Sequence, residues 1–589
     1  MNRYHLGDKI CFFSGYPGAK FLSHGWSTPE QHHCWSDGSQ AEISFQIVSL
    51  LHNDLLLYIC CQGFLAGGLI DHQDVDLYVN EQFLTTWKVS SLKWFDLTIP
   101  RNLIGSDCII IKFIINQPLS PFEHNLSLDK RKLGISLNYM VLFDNVDINH
   151  LDAKKISMGK DPIGYVYKSK NCYFRLIRKD LNIVKDLVLN TGLVNLFSKE
   201  KMIPSHFFKS VKHDQYQHIA FSTTGIPVYP PNYPILMLRD AAYTFISINE
   251  ILLDYFPEDE FGLLDGHYGN FVQMDNAIPM WCDIGSISNV KSHIEFGYGQ
   301  FVRCYVRPLI MFSIERNIPQ IRNLMHKSLD GISMETAIQI SGDIEQLRVS
   351  ETYPQHERRQ ALASLRLILD QLGLNPQKER WSDYRNEEAL MLAYNGKLLQ
   401  ENYDFSDSRF KAVIDLALKF AAGAYSFIDI GCNDGVFSLL LAREGLKGLA
   451  IDLDEYALNK LYLFVRKHDE ISLKIACNSF MSVAEQAELV LALALTHHLY
   501  LSQNISFDQI AEKLSKISTK FVITEFMPDG QGGILGHPQP HPNPLPEEYC
   551  LSNFTVALEK YFNNVEIIDY LRKTDPKYFS RRILIFCQK

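Results

Sequence analysis

No stretch of this chain is apolar for long enough to cross a bilayer as a helix. The longest runs, Cys108 to Asn116 and Leu489 to Leu495, fall well short of the about 20 residues a span requires. The N-terminus lacks the basic start and apolar run of a secretory leader. A basic surplus is missing too: the formal net charge is -10, so no broad cationic surface is expected and a nucleic-acid partner is excluded. The 12 cysteines contain no Cys-x-x-Cys pair. Cys60 and Cys61 would leave a strand on opposite faces, and His32-His33-Cys34 cannot converge on one ion from adjacent strand positions. Reduced core cysteines are therefore expected, not a disulfide framework or a zinc site. These absences favour the cytoplasm. What is present is ordinary globular material, 46% hydrophobic and 21% charged, and 589 residues leave room for roughly three to four domains.

Residues 1–148 alternate apolar and polar positions in short runs such as Ala41-Glu-Ile-Ser-Phe-Gln-Ile-Val48, Leu55-Leu-Leu-Tyr-Ile-Cys-Cys61 and Val75-Asp-Leu-Tyr-Val79. Helical periodicity is nearly absent and turn residues separate the runs, which predicts an antiparallel β-sandwich. The phrases Gly25-Trp-Ser-Thr-Pro-Glu30 with Cys34-Trp-Ser36, and Leu119-Ser-Pro-Phe122 with Asp129-Lys-Arg-Lys-Leu-Gly-Ile135, resemble a jelly-roll module found on bacterial enzymes of surface-polysaccharide assembly. Trp26 and Trp35 are either sugar-stacking platforms or core and turn residues.

Residues 155–345 hold a constellation of polar groups at fixed intervals. Asp265 is followed five residues later by Asn270, and Asn270 thirteen residues later by Asp283, which opens Asp-Ile-Gly285. This spacing resembles the catalytic arrangement of protein kinases, which implies an α+β kinase-like domain. On that resemblance Asp265 orients an acceptor hydroxyl while Asn270 and Asp283 hold magnesium with ATP. Other parts of the pattern depart from it. Leu263-Leu264 stands where His-Arg is expected, Asp161-Pro-Ile-Gly-Tyr-Val-Tyr167 offers one glycine for a phosphate-covering loop, and Arg175 stands nearest the position of the nucleotide lysine. Phosphotransfer and a kinase-like fold without it both remain open. Residues 346–420 show apolar positions at helical spacing, in Glu357 to Leu369 and Glu387 to Leu399, and predict helices packed on a neighbour. Trp381 and Tyr384 there either cover a cofactor or fill core.

The C-terminal part, 421–589, carries the most informative segment. Phe427-Ile-Asp-Ile-Gly-Cys-Asn-Asp-Gly-Val-Phe437 reads as a strand, a glycine turn and a helix, and Leu449-Ala-Ile-Asp-Leu-Asp454 as the next strand, ending in carboxylates. That is how a doubly wound sheet grips a nucleoside-containing ligand: Gly431 admits the ligand, and Asp452 accepts hydrogen bonds from both ribose hydroxyls. The spacing Asp429-x-Gly431-x-Asn433-x-Gly435 resembles the first motif of class I S-adenosylmethionine-dependent methyltransferases, which implies a Rossmann-like α/β domain with Asp429 at the methionine end of the cofactor. Asn478 and Ser479 stand where many such enzymes carry an adenine-reading acid. Glu488 to Leu495 predicts a buried strand that delivers Thr496-His497-His498 to the ligand edge, with Lys520 to Glu525 and Arg582 to Cys587 as further strands. His497 or His498 is the candidate base for a hydroxyl acceptor, one of the pair pointing into the core. With a phosphorylated acceptor no base is needed, and the histidines would bond the phosphate. The proline-rich stretch 529–548 predicts a binding loop or lid.

The pairing of parts resembles the bifunctional enzymes that terminate O-antigen chains by phosphorylating and methylating the last sugar, although those carry the methyltransferase first. Leu238-Arg-Asp-Ala-Ala-Tyr-Thr244, Gly269-Asn-Phe-Val272, Tyr298-Gly-Gln-Phe-Val-Arg303 and Leu493-Ala-Leu-Thr-His-His-Leu499 are similar to large bacterial class I methyltransferases related to nodulation proteins. These resemblances imply S-adenosylmethionine as cofactor, magnesium-ATP if the kinase-like site is active, and a glycan or glycolipid acceptor. They also imply a cytoplasmic enzyme, and leave open a peripheral position at the inner membrane with glycan-assembly enzymes. A bifunctional kinase-methyltransferase and a non-catalytic glycan-binding scaffold are the rival expectations.

Overall fold

The computed structural model describes the chain except residues 1, 49–52, 105–107, 149–153, 156–164, 170–171, 180–191, 223–227, 257–260, 290–293, 315–317, 353–356, 375–377, 379–386, 400–407, 422–423, 531–543 and 569–581. The glycine loop expected at 161–167, Trp381, Tyr384 and most of the proline-rich loop lie wholly or largely outside the described residues. Two compact units divide the chain, Met1–Gly225 and Ile226–Lys589. The segment expected as one kinase-like domain, 155–345, contributes to both.

In the first unit, strands β1 (Gln40–Ile47), β2 (Leu55–Gly63), β3 (Gln73–Val79), β4 (Gln82–Val89), β5 (Lys93–Ile99), β6 (Cys108–Ile115) and β7 (Leu133–Asp144) form the body of two sheets. One runs β1-β6-β3-β4 and the other β7-β2-β5, each completed by short strands and antiparallel throughout these pairs. Residues of β1, β3 and β6 alternate between buried and half-exposed, so one face of that sheet stays open. β2 and β7 are buried on both faces. The reason is a third sheet: Lys154–Lys155, β8 (Val166–Ser169), β9 (Cys172–Arg178), β11 (Tyr216–Ser222) and β10 (His206–Ser210), in that order. Its Phe207 ring lies 4.8 Å from Tyr58, 4.9 Å from Trp94 and 5.6 Å from Phe143, so all three sheets share one apolar core. Trp26 donates its indole N–H to the Glu42 carbonyl at 2.8 Å and sets its ring edge against Phe113; Trp35 packs between His33 and Phe64.

The second unit opens with helix α2 (Ile235–Tyr255), which follows α1 (Leu193–Lys199) of the first in chain order. Two small antiparallel pairs come next: β12 (Phe261–Leu263) with β15 (Ile287–Asn289), and β13 (Phe271–Gln273) with β14 (Pro279–Trp281). Helices α3 (Ile318–Lys327), α4 (Arg358–Gln371), α5 (Glu387–Tyr394) and α6 (Ser408–Phe420) lead into the largest sheet. There β16 (Ser426–Ile430), β17 (Lys447–Asp452), β18 (Leu473–Cys477), β19 (Ala487–Ala492), β20 (Ser518–Phe526), β21 (Asn564–Ile568) and β22 (Ile583–Gln588) take the order β18-β17-β16-β19-β20-β22-β21. The first five are parallel and β22 is antiparallel to both neighbours. Chain order reverses between β16 and β19. Such a reversal opens a crevice at the carboxyl ends of the strands, where ligands bind in doubly wound sheets. Helices α7 (Val436–Arg443), α8 (Glu455–Val465), α9 (Phe507–Ile517) and α10 (Leu551–Glu559) join the strands.

Residues 226–345 are built into this sheet's surroundings. Pro234 gives α2 no side-chain cap; the first N–H groups of α2 instead donate to α8, Ile235 to Glu455 Oε2 at 3.2 Å and Leu236 to Asn459 Oδ1 at 2.8 Å. Glu455 also takes Arg322 of α3, Nε to Oε1 at 2.6 Å, in a buried ion pair. At the sheet edge, Gln273 donates to the Ile475 carbonyl at 2.8 Å and accepts from the Ile475 N–H at 2.6 Å. Beside it Asp275 faces Lys447 at 2.8 Å and Lys474 at 3.8 Å.

Candidate donor and acceptor site

The turn after β16 packs three left-handed residues into five positions: Gly431 at φ 69°, Asn433 at φ 51° and Gly435 at φ 74°. This conformation folds the backbone back onto β17. Gly431 and Cys432 both donate to the Ile451 carbonyl, at 2.8 and 3.1 Å, and Asn433 N–H donates to Asp452 Oδ2 at 2.6 Å. Asp452 Oδ1 accepts from the N–H groups of Leu453 (2.7 Å) and Asp454 (3.0 Å). Burial raises the Asp452 carboxyl above its ordinary range, opposed by these backbone bonds. Asn478 follows β18, donates its N–H to the Asp452 carbonyl at 3.0 Å and accepts from Ser479 N–H at 2.8 Å through its side chain. Asp429 is buried behind the turn, where Ser438 Oγ donates to it at 2.7 Å. Five expected donor-site residues therefore lie on or beside one turn, with Asp429 beneath it.

Two features of this edge were missed by sequence reasoning. Leu453, next to Asp452, is 56% exposed, an apolar side chain held at the mouth of a polar cradle. Leu495 approaches the turn from the other side: a Cβ on Gly431 would stand 3.3 Å from its Cδ1. Neither carries a sequence signal, because each is one apolar residue among many.

The expected strand 488–495 ends earlier than its apolar run, with β19 closing at Ala492. Ala494 then adopts φ 52°, and its N–H reaches Glu525 Oε2 at 2.9 Å. His497 and His498 thus stand on a helical turn and not at a strand end; their rings are 4.0 Å apart, His497 buried and His498 half-buried. Residues His498–Ser502 form a π-helical turn, a rare geometry that recurs at functional sites. Burial lowers the His498 imidazole below its ordinary value.

Backbone bonds tie together the segments that carry Asp265, Asn270 and Asp283: Leu264 N–H donates to the Ser286 carbonyl at 2.8 Å and Cys282 N–H to the Asn270 carbonyl at 2.8 Å. Asp283 Oδ1 accepts from Gly285 N–H at 3.0 Å. Asn270 is buried, and its Nδ2 meets no acceptor among the described residues. Arg175 lies on β9 in the first unit. Among the described residues no group of three or more His, Cys, Asp or Glu side chains is arranged to hold a metal ion, and no helix is long and apolar enough to cross a membrane.

No family model and no curated protein matches this chain. Solved structures show faint likeness. WbdD, crystallised with a kinase inhibitor, aligns at TM-score 0.25 and 14% identity over 34% of this chain and 47% of its own, so the match spans about half of that protein. The magnesium protoporphyrin IX methyltransferase of Synechocystis PCC 6803, with S-adenosylhomocysteine bound, aligns at 0.25 and 13%, over 35% of this chain and 97% of its own. The N-methyltransferase NodS of Bradyrhizobium japonicum WM9 aligns at 0.24 and 13%, over 32% and 99%. Likeness at this level fixes neither family nor substrate.

Proposed function

We propose that the sheet of the second unit binds S-adenosylmethionine and transfers its methyl group to a glycan or glycolipid acceptor. The observation that carries the reading is the Gly431–Gly435 turn, tied through Asn433 N–H to the carboxylate of Asp452 beside the point where strand order reverses. The residues fit the cofactor. Asp452 offers carboxylate oxygens for neighbouring ribose hydroxyls, Leu453 an exposed apolar face for a flat base, and Gly431 a backbone without a side chain. When bound, the cofactor supplies an electrophilic methyl on a positively charged sulfur. The chain's own contribution is alignment and proton removal: the Leu495 wall and the turn at Gly431 bound the donor side, and His498, kept neutral by burial, is suited to take a hydroxyl proton. The two-sheet body of residues 1–148 is read as a carbohydrate-binding module.

Calorimetry with S-adenosylhomocysteine tests the donor reading. Wild type should bind, and Asp452→Ala should lose at least about tenfold in affinity, since charged hydrogen bonds contribute roughly 1.5 to 3 kcal/mol each. Absence of binding by the wild type would leave the glycan-binding scaffold as the better account. The acceptor is sought by mass spectrometry of surface glycans from cells with and without the gene.

A second reading, phosphotransfer, is favoured by the buried Asn270 amide, whose Nδ2 meets no acceptor among the described residues. Magnesium-ATP at a hundred times its dissociation constant would then stabilise the fold by about 2.7 kcal/mol. The expected outcome is little or no shift in melting temperature, and a magnesium-dependent shift of several degrees that vanishes in Asp283→Ala would establish the bifunctional enzyme.

A further inference from the structure

Glu525 is the penultimate residue of β20, at the ligand edge of the sheet, and is fully buried. A carboxylate in that position needs partners, and it has them from two distant segments. Arg582, itself buried just before β22, donates from Nη1 to Oε2 at 3.0 Å. Ala494 N–H donates to the same oxygen at 2.9 Å. The backbone carbonyl of Glu525 accepts from Thr496 Oγ at 2.9 Å. One residue thus fastens both sides of the Leu495 position.

The segment it fastens is strained. Ala494 sits at φ 52°, a left-handed conformation that a Cβ-bearing residue keeps only when its surroundings impose it. Leu495, projecting from this turn, is the side chain nearest to Gly431, and two residues later the chain enters the His497-His498 π-helical turn. Donor wall and candidate base therefore hang on one short segment.

We propose that Glu525, held in place by Arg582, is a positioning residue of the methyl-transfer site: it pins the Ala494 turn and so sets Leu495 against the donor turn and His498 toward the acceptor. This rests on the methyltransferase reading given above. Glu525 itself touches neither donor nor acceptor in the role assigned to it.

The test compares wild type with Glu525→Gln, Glu525→Ala and Thr496→Val in the full chain. Melting curves establish which variants fold; Thr496→Val, nearly isosteric, keeps the buried ion pair intact and guards against a result lost to unfolding. Two readouts follow: S-adenosylhomocysteine affinity by calorimetry, and the imidazole titration of His498 by nuclear magnetic resonance. Glu525→Ala should weaken the ligand about tenfold and move the His498 midpoint up toward the ordinary imidazole value, because a released segment exposes the ring. Glu525→Gln and Thr496→Val should move both in the same directions by less, about threefold in affinity. Folded variants with wild-type affinity and an unmoved His498 midpoint would overturn the proposal. Should the wild type fail to bind S-adenosylhomocysteine, the methyltransferase reading falls, while the His498 midpoint still reports whether Glu525 positions the segment.

Discussion

Gly435 shows how little freedom single residues have at the ligand edge. It caps α7 with φ 74°, and a Cβ there would stand 2.4 Å from Leu461 Cδ2. Gly435→Ala should therefore destabilise the protein by about 1 to 3 kcal/mol, read as a lowered urea midpoint, with loss of donor affinity beyond what the stability change explains. His498 makes a prediction of the opposite kind, about protons. Its folded pKa is depressed by burial, so the unfolded chain protonates first and the native state loses stability as pH falls from the unfolded imidazole value near 6.5 through the folded value. At pH 7 the ring is neutral and able to accept a proton. Methyl transfer to a hydroxyl should accordingly fall on an acid limb whose midpoint lies below 6.5, and His498→Gln should remove that limb and about a hundredfold of turnover. A limb unchanged in His498→Gln would move the base elsewhere.

Among elements, what the sequence conveyed and what it withheld differ by range. The strand-turn-helix at 427–443 was legible because all its determinants are local: an apolar strand, residues able to adopt positive φ at Gly431, Asn433 and Gly435, and an acid ending the next strand. Leu55 to Cys61 was legible as a strand, yet its unbroken apolar character was itself the trace of burial on both faces, here by the sheet of β8 to β11. The cap on α2 was not legible. Its acceptors stand 220 and 223 residues away on α8, and no local pattern announces a helix whose N–H groups are satisfied by another helix. Glu525 escaped for the same reason, its partners lying 31 and 57 residues off. Glu455 tests the element-level docking: Glu455→Ala leaves Arg322 buried without its charge partner and uncaps α2, and should cost roughly 3 to 5 kcal/mol in denaturant unfolding. Asp275 tests it by pH. Burial opposes its charge, but Lys447 and Lys474 outweigh burial and bring its pKa down to about 2. A depressed carboxyl stabilises above the unfolded value near 3.9 and stops doing so as pH falls toward 2. The melting difference between wild type and Asp275→Asn should be present at pH 5 and be lost as pH falls through about 2.

For the whole molecule, the two units divide the chain in a place that motif reading did not suggest. The sheet of β8 to β11 shares its core with the sheets before it, whereas α2 and the 261–289 segment belong to the same compact unit as the doubly wound sheet and are bonded to it through Glu455, Asn459 and Gln273. A fragment covering 226–589 should fold cooperatively by circular dichroism and bind S-adenosylhomocysteine as the full chain does. A fragment beginning at 421, which motif boundaries would recommend, should fail at one or both. Gln273 gives the reason a further turn. Its amide presents one N–H and one carbonyl to Ile475 as a neighbouring strand would, so at its middle residue the outermost parallel strand is covered by a side chain and not left as an open template. Stripped of that side chain, the edge becomes a place where a second copy can continue the ladder, and the excised domain acquires a route to fibrous self-association that the intact chain has closed.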